Sequence, residues 1–304
     1  MNWSQAQSKY FSAPLVLIHS GLGPGDTLQH KAGKPDWYLS RLEEIAKKIQ
    51  KKLRDQNPST LDLSLYGVEQ LENEAIFNAG YGAKLQSDGQ ARLSCSLMDG
   101  ETQRFSSLSN LEGFQHPSKI VQKLLDERDR NLSGEGAALY ALEKGIEPAS
   151  PITEARLEEW KNKKAGQTGT VGCVALDSRS HLAACTSTGG RGMERIGRVS
   201  DSCTPAGNFA NPWGAVSATG IGEDILDAGL AAAILSRLED RMSLQESVSR
   251  AFLRHQNKHF GIIGLDREGN AIVHATQGTL GFAIITPEKT YIGLDSEDWG
   301  KISI

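Results

Sequence analysis

Long apolar runs are missing from this chain: no stretch approaches the roughly 20 residues needed to cross a bilayer, so a membrane-spanning protein is excluded as a reading. Cysteine is scarce. Cys95, Cys173, Cys185 and Cys203 stand far apart with no Cys-x-x-Cys pair, which argues against a zinc site or a disulfide framework. It favours small buried thiols in a reducing compartment. An excess of one charge is absent too. The net charge of -4 gives no electrostatic reason to expect nucleic acid or an anionic membrane as partner. The start, Met1-Asn2-Trp3-Ser4-Gln5, shows no basic segment leading into an apolar stretch, so no signal peptide is expected. Internal repeats and low-complexity tracts are also lacking. These absences together predict a soluble, cytoplasmic protein.

What is present is material for a sizeable core: 304 residues, 38% hydrophobic, enough for one large domain or two ordinary ones. Pro14–His19 reads as a short apolar strand ending in a glycine-rich turn, 20–25. Asp36–Gln56 carries Leu39, Leu42, Ile45, Ala46, Ile49 and Leu53 at helical spacing. A second helix is expected at Leu61–Leu71, and further helices at Pro117–Arg128, Gly134–Lys144 and Thr153–Asn162. Ala83–Gln86 and Gln90–Leu97 flank Ser87-Asp88-Gly89, a hairpin signal. Residues 161–167 are polar and charged, the composition of an exposed linker. A β-rich block follows at Thr170–Asp177, Leu182–Thr188, Ala215–Thr219, Gly261–Leu265, Ala271–Ala275 and Phe282–Thr286, with one helix, Glu223–Leu238, inside it. Strands with helices around them predict a layered α+β protein.

The chemistry concentrates where the linker meets this block. If Ser178-Arg179-Ser180 is a three-residue hairpin loop, Asp177 pairs with His181 and Thr170 falls opposite Thr188. Directly paired residues share a sheet face, so two hydroxyls meet at the hairpin's open end. An ordinary threonine pair on a half-buried sheet has the same pattern. Gly169 adds to it, because a glycine leaves its carbonyl open to attack by the next hydroxyl. Breaking the Gly169–Thr170 bond would give Thr170 a free amine. Such an amine, with an unperturbed pKa of ~7.7–8.0, can act as the threonine's own general base. The β-methyl keeps the hydroxyl aimed. Downstream, Arg198 and Asp201 offer a cation and an anion on a glycine-rich loop, suited to a carboxylate and an ammonium, or simply to a surface charge pair. Finally, the strand Ala215–Thr219 runs into Gly220-Ile221-Gly222 and a helix. Backbone N–H groups and the Thr219 hydroxyl at that turn can hold an oxyanion.

In order and nearly in spacing, several segments resemble the plant-type asparaginases and isoaspartyl peptidases, a family of N-terminal-nucleophile hydrolases. They are Gly169-Thr170-Val171-Gly172, Thr186-Ser187-Thr188-Gly189-Gly190, Gly197-Arg198-Val199-x-Asp201-Ser202 and Ser217-x-Thr219-Gly220-x-Gly222-Glu223. Leu71-Glu72-x-x-x-x-Phe77-Asn78-Ala79-Gly80-x-Gly82 and Met98-Asp99-Gly100 match as well. The likeness spans most of the chain. It implies a four-layer αββα sandwich of mostly antiparallel sheets in one domain, 1–304. It also implies cleavage into an α subunit, 1–169, and a β subunit, 170–304, that assemble as (αβ)₂. By resemblance, Thr170 is the nucleophile, Thr188 supports it, Asn78 lies beside it, and Thr219 with Gly220 forms the oxyanion hole. Arg198 and Asp201 grip the substrate, an isoaspartyl dipeptide or asparagine. No cofactor is implied for catalysis. A structural sodium ion is, on the main-chain carbonyls of Leu71, Glu72, Glu74, Phe77, Ala79 and Tyr81.

The chain departs from the family pattern in places. His19-Ser20-Gly21-Leu22-Gly23 stands for His-Gly-Gly-Ala-Gly, and Ser94 for a usual aspartate. The stretch 203–208 is about two residues short, and 276–281 lacks the common wording. Within the same class, glycosylasparaginases and taspase-like endopeptidases share the nucleophile but favour aspartate where Gly169 stands. A catalytically inactive relative acting as a binding protein would need none of these groups, yet Thr170, Thr188, Arg198, Asp201 and Thr219 are all present.

Overall fold

A computed structural model describes residues 5–23, 36–56, 58–162, 169–294 and 296–302. The alternation of side chains along a strand dictates how its sheets are covered. In β2 (Leu15–Gly23), Leu15 and Leu17 belong to one apolar cluster while Val16 and Ile18 belong to another. The same division holds in β6 (Val171–Leu176), where Val174 and Leu176 face one way and Cys173 and Ala175 the other. Both faces of this sheet are therefore covered. A sheet with two dry faces must lie inside a layered sandwich.

That sheet has eight strands in the order β13-β12-β2-β6-β7-β3-β4-β5. Besides β2 and β6 these are β3 (Leu93–Asp99), β4 (Arg104–Leu111), β5 (Asn131–Ser133), β7 (Leu182–Thr188), β12 (Thr279–Ile285) and β13 (Thr290–Gly293). The second sheet has five, ordered β1-β11-β10-β9-β8. Its members are β1 (Ser8–Tyr10), β8 (Asn208–Asn211), β9 (Gly214–Gly220), β10 (Phe260–Asp266) and β11 (Asn270–Ala275). Every pairing is antiparallel except β4 with β5.

Three apolar clusters separate four layers. Helices α1 (Asp36–Gln56), α2 (Thr60–Glu72) and α3 (Pro117–Leu124) cover the outer face of the large sheet. Leu42, Ile45, Ala46, Ile49 and Leu53 of α1 and Leu63, Val68 and Leu71 of α2 pack there against Val16, Ile18 and Cys173. Between the sheets, Leu15, Leu17, Val174 and Ile284 meet Ile263, Leu265 and Val273. Outside the small sheet, α7 (Leu230–Glu239) and α8 (Leu244–Arg254) lay Ile234, Leu235 and Val248 on Val216, Ala218 and Ile262. The order is helix, sheet, sheet, helix: the expected αββα sandwich. The remaining helices are α4 (Gly134–Glu143), α5 (Glu154–Lys161), α6 (Gly222–Ala228) and α9 (Ser296–Lys301). Among the described residues no helix is long and apolar enough to cross a membrane.

Some elements differ from the sequence reading, each for a physical reason. The glycine-rich segment after His19 continues β2 to Gly23, and Pro24 and Gly25 fall outside the described residues. The expected single helix 223–238 is two, because Gly229 at φ +54° ends α6 and begins α7. α8 was not anticipated, although Ser243 accepts the Glu246 N–H as its cap, a spacing visible in the sequence. β4 was missed since it is serine-rich rather than β-branched. Its buried Ser106 and Ser107 hydroxyls bond the Val121 carbonyl at 2.7 Å and Asn131 Oδ1 at 2.9 Å instead of packing. The turn at Ser87-Asp88-Gly89 forms, with the Gln86 N–H on the Gln90 carbonyl at 2.9 Å. β3, however, pairs with β4 and β7 rather than with 83–86. The expected linker lies outside the described residues from 163 to 168.

Candidate active site

The β6–β7 hairpin sets the centre. Its register runs from Leu176 opposite Leu182 to Val171 opposite Ser187, closed by Asp177 donating its N–H to the His181 carbonyl at 3.1 Å. Ser180 takes a positive φ of 63° in the loop, and the Asp177 carboxylate accepts the Arg179 and His181 N–H groups. Continued one step, the register puts Thr170 opposite Thr188. Their hydroxyls meet as expected: Thr170 Oγ1 donates to Thr188 Oγ1 at 3.3 Å. Thr188 Oγ1 also accepts the Gly190 N–H at 3.1 Å. Both threonines are buried, Thr170 to 6% exposure.

Around this pair the chain is held closely. Asn78 receives the Gly189 N–H on its carbonyl at 2.9 Å, donates from Nδ2 to the Gly190 carbonyl at 2.5 Å and accepts the Lys84 N–H at 2.8 Å. It is thus the brace between the 71–82 loop and the turn after β7. A Cβ on Gly169 would stand 2.6 Å from the Asn78 Cβ, and one on Gly21 would stand 2.8 Å from the Gly169 Cα. Both glycines sit at close approaches, and Gly21 also holds a φ of +111° that other residues rarely adopt.

Opposite the threonines lies the charged part of one pocket, which Thr170, Thr188, Arg198 and Asp201 line together with Gly220. Arg198 forks onto Glu223, Nε to Oε1 at 2.9 Å and Nη2 to Oε2 at 3.0 Å. Asp201 is 2% exposed. Its Oδ1 accepts the Ser200 hydroxyl at 3.2 Å, and its Oδ2 has no partner among the described residues. Burial pushes its carboxyl up to about 6, with Arg198 and Ser200 pulling the other way. A buried carboxylate with an unsatisfied oxygen beside an open pocket is suited to a cationic ligand. Thr219 is buried, and its Oγ1 accepts the Leu22 N–H at 3.2 Å. That contact occupies a lone pair and leaves the hydroxyl proton for another acceptor.

Sequence reasoning missed the polar column between the sheets behind Thr170. His19 Nε2 meets Ser217 Oγ at 2.8 Å, Ser217 meets Thr186 Oγ1 at 2.6 Å, and Thr186 donates to Asn208 Oδ1 at 2.9 Å. Burial holds the His19 imidazole neutral, its pKa lowered to about 3, partly offset by contact with the Thr170 backbone. Period-2 spacing carried a signal, since Ser217 shares a face with Thr219 and Thr186 with Thr188. Glu223 was legible only as part of a motif, and its pairing with Arg198 is a fact of the fold.

The sequence profile of the asparaginase family matches residues 12–292. A Nostoc protein named isoaspartyl peptidase/L-asparaginase is 41% identical over 280 residues, covering 84% of this chain and 86% of its own length. Proteins of the same name are 38% identical in Synechocystis, over 84% of this chain and 83% of theirs, and 31% identical in Homo sapiens, over 94% and 97%. The chain belongs to the asparaginase family. Against that background, the departures in this asparaginase-family chain acquire a location. The short 203–208 segment folds back onto Asp201, whose carbonyl accepts the Thr204 N–H at 2.8 Å and its hydroxyl at 2.7 Å. A Cβ on Gly207 would lie 2.7 Å from Asp201 Oδ2. The segment therefore packs over Asp201 and helps to bury its carboxyl. Ser94 sits opposite Thr188 across β3 and β7 and touches the buried Cys203 thiol.

The 71–81 loop turns on its own main chain. The carbonyls of Leu71, Glu72 and Glu74 accept the N–H groups of Glu74, Tyr81 and Phe77 at 3.2, 2.8 and 3.1 Å. A Cβ on Gly80 would meet the Glu72 carbonyl at 2.6 Å, and one on Gly82 the carbonyls of Ala75 at 2.5 Å and Phe77 at 2.8 Å. No group of three His, Cys, Asp or Glu side chains among the described residues could hold a metal. Main-chain carbonyls are the donor type a hard monovalent cation takes, and those of Leu71, Glu72 and Glu74 each keep a second lone pair.

Proposed function

We propose that this protein is an isoaspartyl peptidase and asparaginase that activates itself by cutting before Thr170. The observation that carries this reading is the Thr170–Thr188 hydroxyl pair in the same pocket as Arg198 and Asp201. In the maturation step, Thr170 Oγ1 attacks the Gly169 carbonyl and the acyl group shifts from nitrogen to oxygen. Water then cleaves the ester, leaving a Gly169 carboxylate and a free Thr170 α-amine. Gly169 favours this class over its aspartate-preferring relatives, because even a Cβ there would collide with Asn78.

In the mature enzyme the amine takes the Oγ1 proton as the oxygen attacks. Arg198 holds the aspartyl α-carboxylate and Asp201 the α-ammonium, leaving the side-chain carbonyl toward Thr170. The oxyanion develops near the free proton of Thr219 and the Gly220 N–H, where donors oriented in advance lower the barrier most. Collapse breaks the carbon–nitrogen bond, the leaving nitrogen takes the proton, and a β-aspartyl ester remains on Thr170. Water hydrolyses it to aspartate. Thr188 restrains the nucleophile, and Asn78 holds the turn beside it. No cofactor enters these steps.

Three further readings follow from the family. The domain 1–304 becomes subunits 1–169 and 170–304, which associate as (αβ)₂. The carbonyls of Leu71, Glu72, Glu74, Phe77, Ala79 and Tyr81 would hold a structural sodium ion, stiffening the loop that carries Asn78. The protein works in the cytoplasm, a reading supported by four buried cysteines that are all free thiols. The substrate assignment is tested by assaying β-Asp-Leu, α-Asp-Leu and asparagine side by side. The expected order is β-Asp-Leu above asparagine with no cleavage of the α-linked peptide. Hydrolysis of α-Asp-Leu, or asparagine as the better substrate, contradicts it.

A further inference from the structure

The mechanism leaves one charged residue of the pocket unused. Arg191 lines it alongside Thr170, Thr188 and Gly190, and its side chain is exposed. Its only hydrogen bond among the described residues is made by the backbone, Arg191 N–H to Glu194 Oε1 at 3.2 Å. The carboxylates that feel its charge are Glu194 and Glu223. Neither takes its guanidinium: Glu194 is buried at 3% exposure, and both Glu223 oxygens are taken by Arg198. Among the described residues the Arg191 guanidinium has no hydrogen-bond or ion-pair partner, and it lines the substrate pocket.

Its backbone, by contrast, is fixed. Gly190, Gly192 and Met193 take positive φ values of 84°, 83° and 60°, curling the chain around Arg191. The curl is pinned on both sides. Gly190 is held by Thr188 and Asn78, while Met193 donates to the Leu85 carbonyl at 2.8 Å and the Glu194 carbonyl accepts the Ser87 N–H at 3.0 Å. The Arg191 Cα is thus anchored next to a residue that bonds Thr188, while its long side chain is uncommitted.

The two walls divide the substrate. Arg198 and Asp201 take the aspartyl α-groups, and Gly190 and Arg191, beside Thr188 in the same pocket, are the part of its lining left for the leaving residue. In a β-aspartyl dipeptide that nitrogen bears a residue whose free α-carboxylate is two bonds away. In asparagine it bears only hydrogen. A guanidinium fork is the group suited to a carboxylate. We infer that Arg191 binds the free α-carboxylate of the leaving residue, and that it selects β-aspartyl dipeptides over both asparagine and β-aspartyl peptides whose C-terminus is blocked. This assignment rests on the isoaspartyl reading of the site.

The test compares kcat/KM of the mature protein on β-Asp-Leu and on β-Asp-Leu amide, for wild type, Arg191→Gln and Arg191→Lys. Wild type should favour the free acid by roughly 10-fold, as a charge-assisted hydrogen bond supports. The ratio should fall to about one in Arg191→Gln through KM, with partial recovery in Arg191→Lys. Hydrolysis of both peptides by wild type at equal rates overturns the assignment while leaving the isoaspartyl reading intact. So does an Arg191→Gln variant that loses equally on both, since that is the mark of a structural role. Cleavage of neither peptide by wild type rejects the isoaspartyl reading and the assignment with it.

Discussion

Replacing Asp201 with Asn should stabilise the fold and destroy the grip, and the two effects can be separated by pH. Burial lifts the Asp201 carboxyl from 3.8 to about 6, which amounts to about 3 kcal/mol in favour of its neutral form. The folded state therefore binds more protons than the unfolded state between those values, and its stability falls as pH rises through that window. The stability given by a neutral Asp201 is fully present below about pH 4 and gone above about pH 6. Asparagine carries no charge to desolvate. In a Thr170→Ala background, which keeps the chain whole, Asp201→Asn should be more stable by about 1–3 kcal/mol at pH 8 and nearly equal to its parent at pH 4. Urea unfolding at the two pH values measures this. Activity should respond in the opposite sense: only the ionised carboxylate holds an ammonium, so wild-type kcat/KM, already declining as the Thr170 amine protonates below ~8, should fall more steeply as pH drops through about 6. A variant less stable than its parent at pH 8, or a stability gap independent of pH, would rule out a costly buried charge at Asp201.

Other predictions concern single groups. Arg198→Ala should lose on the order of 2–5 kcal/mol of transition-state binding and still mature, because the cut needs no substrate; near-normal kcat/KM would remove Arg198 from the grip. Thr219→Val should lower kcat by roughly 10²–10³-fold with little change in KM, as steady-state kinetics would report. Gly169→Ala should slow maturation, since the new methyl collides with Asn78; densitometry of a denaturing gel over time shows whether cleavage keeps its rate.

The parts of the site that lie along one strand pair were legible beforehand. Counting across the 178–180 loop was enough to set Thr170 opposite Thr188, because antiparallel pairing turns sequence distance into spatial contact. Arg198 and Asp201 were readable as a cation and an anion three residues apart. The Arg198–Glu223 fork was not, since it joins a loop to a helix across 25 residues. Nor was the His19–Ser217–Thr186 column, which exists only where two sheets face each other. In the fold, β4 escaped notice because serines stand at three of its buried positions, and two of them, Ser106 and Ser107, hydrogen-bond rather than pack. The split of the 223–238 helix turns on Gly229 adopting φ +54°, a conformation glycine permits but does not announce.

Intact mass with N-terminal sequencing of the purified, active protein decides whether Thr170 becomes an N-terminal nucleophile. Two chains are expected, one ending at Gly169 and the other beginning at Thr170, while Thr170→Ala stays whole and inactive. Full activity from a single uncut chain, or a new terminus at any other residue, would rule this out.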